Sequence, residues 1–400
     1  MFKGFKSWLA DNRNFVFSRY TKDSEKTQEP EKSLIELSPE VRKKLVEDTE
    51  NLSSNPADKK AIVDALDEAF ERWQANPNNN NNSIVILSSP VAAVSRILSE
   101  TLEDWTKQKQ IPMKLLPLQA RPVAAEKIKS KLEHYLKQQQ PEDDEPEEQS
   151  EVIAIPNLSW CFLRSLEGLE GIEYLQSLLC DGSKNRFWII GGGEVGWEYL
   201  NSVCNLEAYC GKVMTLPEIE PEEFQDWLEP IIKNLDITFD KPGIDKRLLE
   251  GDKSNKTNYF NRLADISEGI STVAVQAFLK SIHHKEIDEV EDFLKDIETD
   301  VEHKLSEKVV VAQTPHLPDL ADLESADQYL LYSLLLHGDI TISALAESLG
   351  DEQSQVQNRV QVLRNKGVVE QQEKVIKINP IHYPKIKREL AQNNFVINRD

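Results

Sequence analysis

Short apolar runs alternate with amphipathic segments through the middle of the chain. The runs lie at residues 84–87, 114–118, 152–155, 187–190 and 212–216. The first is followed by Val94, Ile97, Leu98, Leu102 and Trp105 at helical spacing, the second by an amphipathic stretch over 123–136. The third is followed by Phe162, Leu166, Leu169, Ile172, Leu175 and Leu179, which predict one long helix. Continuous apolar runs of four or five residues suit strands covered on both faces, and helices between them supply parallel crossovers. The pattern predicts an α/β domain at 83–220 built on a doubly wound, parallel five-stranded sheet.

The flanks read differently. Ser38-Pro39-Glu40 and Asn55-Pro56-Ala57-Asp58 are helix starts, with a side-chain cap followed by Pro in the first turn, and they place N-terminal helices within 38–76. The Asn-rich run 76–82 is a joint, and so is the stretch 142–151, which holds seven acids and no base. Residues 221–312 read as a helical lid subdomain, with Phe224, Trp227, Leu228, Ile231 and Ile232 on one face and an acid-rich helix at 286–302. From 320 to 400 the pattern is three helices, with Gly350 as a turn before the third, and then a hairpin formed by 367–370 and 374–378. That order resembles a winged helix-turn-helix.

Charge narrows the partners. A formal net charge of −22 and a pI near 4.9 disfavour general binding to nucleic acid or to anionic lipid. Cys161, Cys180, Cys204 and Cys210 form no CxxC pair and sit in apolar stretches, as structural thiols do in a reducing compartment. The seven histidines show no metal-ligand spacing, and neither HExxH nor GxSxG occurs. No metal site and no catalytic set is expected. The first 22 residues are the exception to the acidity: Lys3, Lys6, Arg13, Arg19 and Lys22 stand against Asp11 alone. Phe2, Phe5, Trp8 and Leu9 share one helical face, so segment 1–37 reads either as a helix packed on its own domain or as a membrane-surface or partner contact. The expected location is cytoplasmic, with peripheral contact at the inner face of a membrane as the second reading.

A phosphate-binding loop needs glycines for close backbone approach, a Lys to neutralise phosphate and a Ser or Thr for Mg²⁺, spaced GxxxxGK[ST]. Directly after the first run the chain keeps that frame with most of its chemistry replaced. Ser88 and Ala93 hold the glycine positions, Val94 the lysine position, and Ser95 the hydroxyl position, with Ser89 and Pro90 inside the loop. The third run ends in Pro156-Asn157 where carboxylates would hold Mg²⁺, and segment 269–272 carries no Arg. Strand and helix order, this residual frame, the lid and the C-terminal winged helix together resemble the AAA+/STAND ATPase superfamily over residues 56–395. The resemblance implies a nucleotide-switch ancestry and a role in regulated assembly. The replaced positions imply a pseudo-ATPase, a non-hydrolysing regulator or scaffold acting through a protein partner. No cofactor is expected, and ATP or ADP held weakly, in a switch without rapid turnover, remains open.

Two other readings stay open. Gly191-Gly192-Gly193-Glu194-Val195-Gly196 fits GxGxxG, with Glu218 placed for a ribose, which is the pattern of an NAD-dependent enzyme; a glycine turn without a cofactor is the plainer account. In the winged helix, Gln357, Asn358, Arg359 and Arg364 on the third helix, with Lys385, Lys387 and Arg388, could meet DNA or a protein. Nine acids and nine bases from Ser325 onward favour the protein.

Overall fold

The computed structural model of the chain describes residues 34–76, 82–116, 120–122, 124–137, 151–180, 186–239, 252–287, 307–320 and 322–397. It divides into two compact units. One comprises residues 54–219, 270–273 and 318 onward; the other comprises residues up to 53, 220–269 and 274–317. The anchor residues Phe2, Phe5, Trp8 and Leu9 lie outside the described residues, as do the joints 77–81 and 142–150. No described helix is long and apolar enough to cross a membrane.

The first unit contains α1 (Pro56–Ala75), β1 (Ser83–Ser88), α2 (Val94–Lys109), β2 (Met113–Leu115), α3 (Lys127–Lys137), β3 (Glu151–Ile155), α4 (Glu170–Cys180), β4 (Arg186–Gly193), α5 (Glu194–Cys204) and β5 (Lys212–Thr215). The five strands form one parallel sheet in the order β2-β3-β4-β1-β5. Ile84, Ile86, Val152, Ala154, Phe187 and Ile189 face α1 and α2, where Phe70, Trp73, Leu98 and Trp105 complete a buried aromatic and aliphatic core. Burial on both sides is why β1, β3 and β4 read as unbroken apolar runs, whereas the edge strands β2 and β5 are only partly buried. Glu151, last of the acidic stretch, opens β3 and pairs with Lys114 and, at 3.2 Å, with Arg186.

The long helix predicted after β3 is not continuous. One turn of 3-10 helix (Leu158–Cys161) is followed by a loop closed by Leu163 N–H donating to the Gly168 carbonyl at 2.9 Å, and α4 begins only at Glu170. A Cβ on Gly168 would lie 2.3 Å from the Leu163 carbonyl oxygen, so this glycine permits the closure. Leu166, assigned to the helix face by its spacing, is instead 98% exposed at the loop tip.

In the same unit the C-terminal module consists of α6 (Ser325–His337), β6 (Ile340–Thr341), α7 (Ile342–Leu349), α8 (Gln353–Asn365), β7 (Val369–Gln372), β8 (Val375–Ile378) and α9 (Tyr383–Gln392), with an antiparallel sheet in the order β6-β8-β7. The three helices and the hairpin follow the order read from the sequence. Gly350 takes a left-handed conformation (φ 74°) that ends α7, as a C-capping glycine does.

The second unit contains helices Pro39–Glu50, Pro221–Asn234 and Asp252–Ser267 and most of Ser271–Ser281. Strands join the helices of the segment read as purely helical. Leu34–Ile35, Ile282–Ile287, Glu307–Ala312 and Thr238–Phe239 form a four-stranded sheet in that order. Residues 286 and 287, expected to start an acid-rich helix, end a strand, and 288–302 lie outside the described residues.

Candidate functional site

In the order β2-β3-β4-β1-β5, the crossover from β1 leads past β4 and β3 to β2, whereas the later crossovers lead back the other way. Right-handed connections therefore put α2 on one face and α3, α4 and α5 on the other. The connections diverge between β1 and β4, and in open α/β sheets the crevice outside the carboxyl ends of such strands is where ligands bind. The positions matched to the phosphate-loop frame and to the end of the third run lie at the carboxyl ends of β1 and β3.

Each of them has a structural occupation. Ser88 is buried, and its Oγ lies 3.3 Å from the Ser89 carbonyl. Ser89 to Ala92 form a tight turn closed by Ala92 N–H donating to the Ser89 carbonyl at 2.9 Å, and the Val91 carbonyl accepts from Thr272 Oγ1 at 3.1 Å. Ala93 caps α2 without a side-chain bond. Val94, in the lysine position, is 5% exposed and belongs to the core under the sheet. Ser95 is partly exposed on the first turn of α2. Asn157 Oδ1 accepts from Ser159 N–H at 3.0 Å, so it caps the 3-10 turn.

The glycines explain how these loops meet. A Cβ on Gly191 would lie 2.3 Å from Leu98 Cδ1 and 2.5 Å from the Pro156 carbonyl oxygen, and one on Gly193 would reach Pro90 Cα at 3.5 Å. The end of β4 is thus packed directly against the loop after β1 and the loop after β3. The glycine run is not a turn: Gly191 to Gly193 finish β4, and α5 begins at Glu194 with no intervening loop. These glycines therefore lie in a strand end and not in a turn, which corrects the glycine-turn reading; a dinucleotide fingerprint places its glycines in the loop that approaches the pyrophosphate. Gly196 lies within α5, where a Cβ would come 2.7 Å from the Leu336 carbonyl oxygen of α6. Glu218 is exposed beyond β5. Among the described residues no group of His, Cys, Asp and Glu could hold a metal ion.

A second cluster, unforeseen from the sequence, joins the α/β domain to the C-terminal module. Arg121, in the segment after β2, donates to the Ser159 carbonyl at 2.5 Å and the Phe162 carbonyl at 2.8 Å. The same guanidinium donates across the seam to the His337 and Asp339 carbonyls at 3.0 and 3.2 Å. Burial pulls its pKa down to about 10, with Asp339 acting in the opposite sense, so it stays charged at neutral pH. Trp160 Nε1 donates to Asp339 Oδ1 at 3.1 Å, and Arg164 donates to the Ser348 carbonyl at 3.0 and 3.2 Å. His337 is fully buried beside Phe162, with Nε2 3.4 Å from the Arg164 N–H. Burial first, then the Arg121 and Arg164 charges, hold its pKa well below the usual histidine value, and it is neutral. The sequence did carry one signal. Arg164 closes the apolar run from Trp160, and Arg121 follows Leu115, Leu116 and Leu118 closely; a cation set among apolar residues is buried only with partners.

The cations proposed for DNA or a partner are mostly engaged within the module. Arg359 pairs with Glu324 and Asp327 at 3.3 and 3.2 Å, Arg364 donates to Gln371 at 3.0 Å, and Lys385 pairs with Asp319 at 2.9 Å. Lys387 faces Glu194 at the start of α5; burial raises that carboxyl's pKa and the lysine opposes it. Gln357, Asn358 and Arg388 are exposed. At the N-terminal end of α8, the end that reaches base edges in a helix-turn-helix, Asp351 and Glu352 are exposed acids.

No protein-family profile and no curated protein matches the sequence. Solved structures similar to it include Cdc6p from Pyrobaculum aerophilum (12% identity, 90% of this chain and 99% of that one, TM-score 0.37). They also include the ADP form of the ORC2 protein from Aeropyrum pernix (14%, 83% and 93%, TM-score 0.34) and a point mutant of RuvB from Thermotoga maritima (14%, 82% and 94%, TM-score 0.33). Scores at this level carry no argument about function, and the fold stands on its own strand order.

Proposed function

We propose that the chain is a degenerate relative of the AAA+/STAND ATPases that works as a non-hydrolysing regulatory or scaffold protein. Its α/β domain is a rigid support, and its C-terminal winged helix docks a protein partner. One observation carries the reading: Val94 lies in the core where a phosphate-neutralising lysine would be needed, and Gly191 at the end of β4 packs directly against Pro156 after β3. Phosphoryl transfer is almost entirely positioning and charge stabilisation, and neither a cation nor a carboxylate occupies the replaced positions. DNA is the weaker partner because sequence-independent affinity rests on cations free to meet phosphates, while Arg359 and Lys385 are committed to carboxylates. A nucleotide-holding switch without turnover is the second reading. It is favoured by the enclosed Ser89 Oγ, which has no hydrogen-bond partner among the described residues.

Phosphate release from ATP with Mg²⁺ tests the proposal. We expect a rate equal to the protein-free blank, both for the native chain and for Ser95→Ala. Turnover that disappears in Ser95→Ala would show working chemistry at this loop and overturn the assignment.

A further inference from the structure

We infer that Arg121 and Arg164 are positioning residues that fix the C-terminal module rigidly on the carboxyl-end rim of the sheet, giving it one preset orientation that no nucleotide is needed to hold. The inference deepens the scaffold reading and rests on it, because it makes the module a fixed docking face instead of a nucleotide-driven arm.

The last carbonyls of an α-helix have no partner within the helix, and its C-terminus carries partial negative charge. In this module the His337 carbonyl at the end of α6 and the Ser348 carbonyl in the last turn of α7 accept from Arg121 and Arg164 respectively, two cations belonging to the α/β domain. Two helices of one module are therefore capped by the other. Arg121 also donates to Ser159 and Phe162 on its own side, so a single planar guanidinium ties two segments of the domain to two residues of the module. A planar fork of donors has little freedom to follow a rotating partner. Trp160 adds a bond to the Asp339 carboxylate, and Gly196 lets α5 approach the Leu336 carbonyl closely enough to remove slack between α5 and α6. These bonds lie on both sides of the turn after α6, so a rotation that preserves one of them breaks another.

The test is the distance between spin labels introduced at two exposed positions of the full chain, Glu173 on α4 and Gln361 on α8. In the otherwise native protein we expect one narrow distance distribution, unchanged by ATP or ADP. In Arg121→Ala we expect a several-fold broader distribution with helix content retained by circular dichroism, and in Arg121→Lys an intermediate width. If Arg121→Ala does not fold, Arg121→Lys carries the test, because it keeps the charge and loses the planar fork that ties both sides of the seam. A broad distribution in the native chain, or a narrow one in whichever arginine variant folds, would overturn the clamp. A distribution that is narrow in the native chain but shifts with nucleotide would overturn the preset orientation together with the scaffold reading, whereas a broad native distribution without any response to nucleotide would overturn the clamp alone.

Discussion

Gly191→Ala is expected to destabilise the protein by about 3 kcal/mol, near the upper range for overpacking a closed core. Gly193→Ala, two residues further along the same strand, should change stability by less than about 0.5 kcal/mol, as a substitution without a strained contact does. Neither position needs a positive φ, so the difference is one of space alone. At 191 the new Cβ would meet Leu98 Cδ1 at 2.3 Å and the Pro156 carbonyl at 2.5 Å. The leucine can turn aside, but the carbonyl belongs to the backbone at the buried end of β3 and retreats only by displacing the strand. At 193 the nearest atom is 3.5 Å away, an ordinary contact. Urea unfolding of both variants measures the pair. Equal effects would mean that the loops around β4 are not closed on each other as the structure places them.

Val94→Lys restores the lysine of the phosphate-loop frame, yet it should cost about 3–5 kcal/mol, the scale of a charge left buried without a partner. It should create no nucleotide affinity. In a working loop the lysine reaches into a phosphate site. Here position 94 turns into the core, in the same cluster as Ile97, Leu98 and Trp105. Burial would drive the new ammonium toward its neutral form, so the loss of stability should be smaller at high pH and full at neutral pH. Thermal unfolding across that range reads both. A variant as stable as the native chain that also binds ATP would show that a single replacement had silenced an otherwise intact site.

The three central strands β1, β3 and β4 were legible because burial on both faces leaves continuous apolar runs, a signal that does not depend on topology; the partly buried edge strands β2 and β5 were read from shorter apolar segments. The phosphate-loop frame rests on the spacing of Ser88, Ala93, Val94 and Ser95 alone, and the structure places Pro156 and Gly191 in direct contact at the neighbouring strand ends. Their present roles were not legible. Whether Gly191 sits in a turn or in a strand against Pro156 depends on which strand neighbours β4, and local sequence does not encode that. The helix expected through Phe162 and Leu166 had the right apolar spacing, but a cross-loop bond from Leu163 to Gly168 outweighed periodicity. Strand Ile282–Ile287 was read as helix because its central residues, His283, His284, Lys285 and Glu286, carry no apolar alternation. His284 is buried nonetheless through pairing on both edges, with Leu34–Ile35 and with Glu307–Ala312. The arginine seam was missed for a related reason: its acceptors are almost all backbone carbonyls, which no residue pattern marks.

Under the proposed function, the strand ends with Val94 in the core and Gly191 packed on Pro156 hold no nucleotide. Calorimetric titration of the native protein with ATP and ADP, with and without Mg²⁺, tests it most directly. The account predicts no heat beyond dilution and no change in melting temperature at millimolar nucleotide; saturable binding near one nucleotide per chain, weakened by Ser95→Ala, would contradict it.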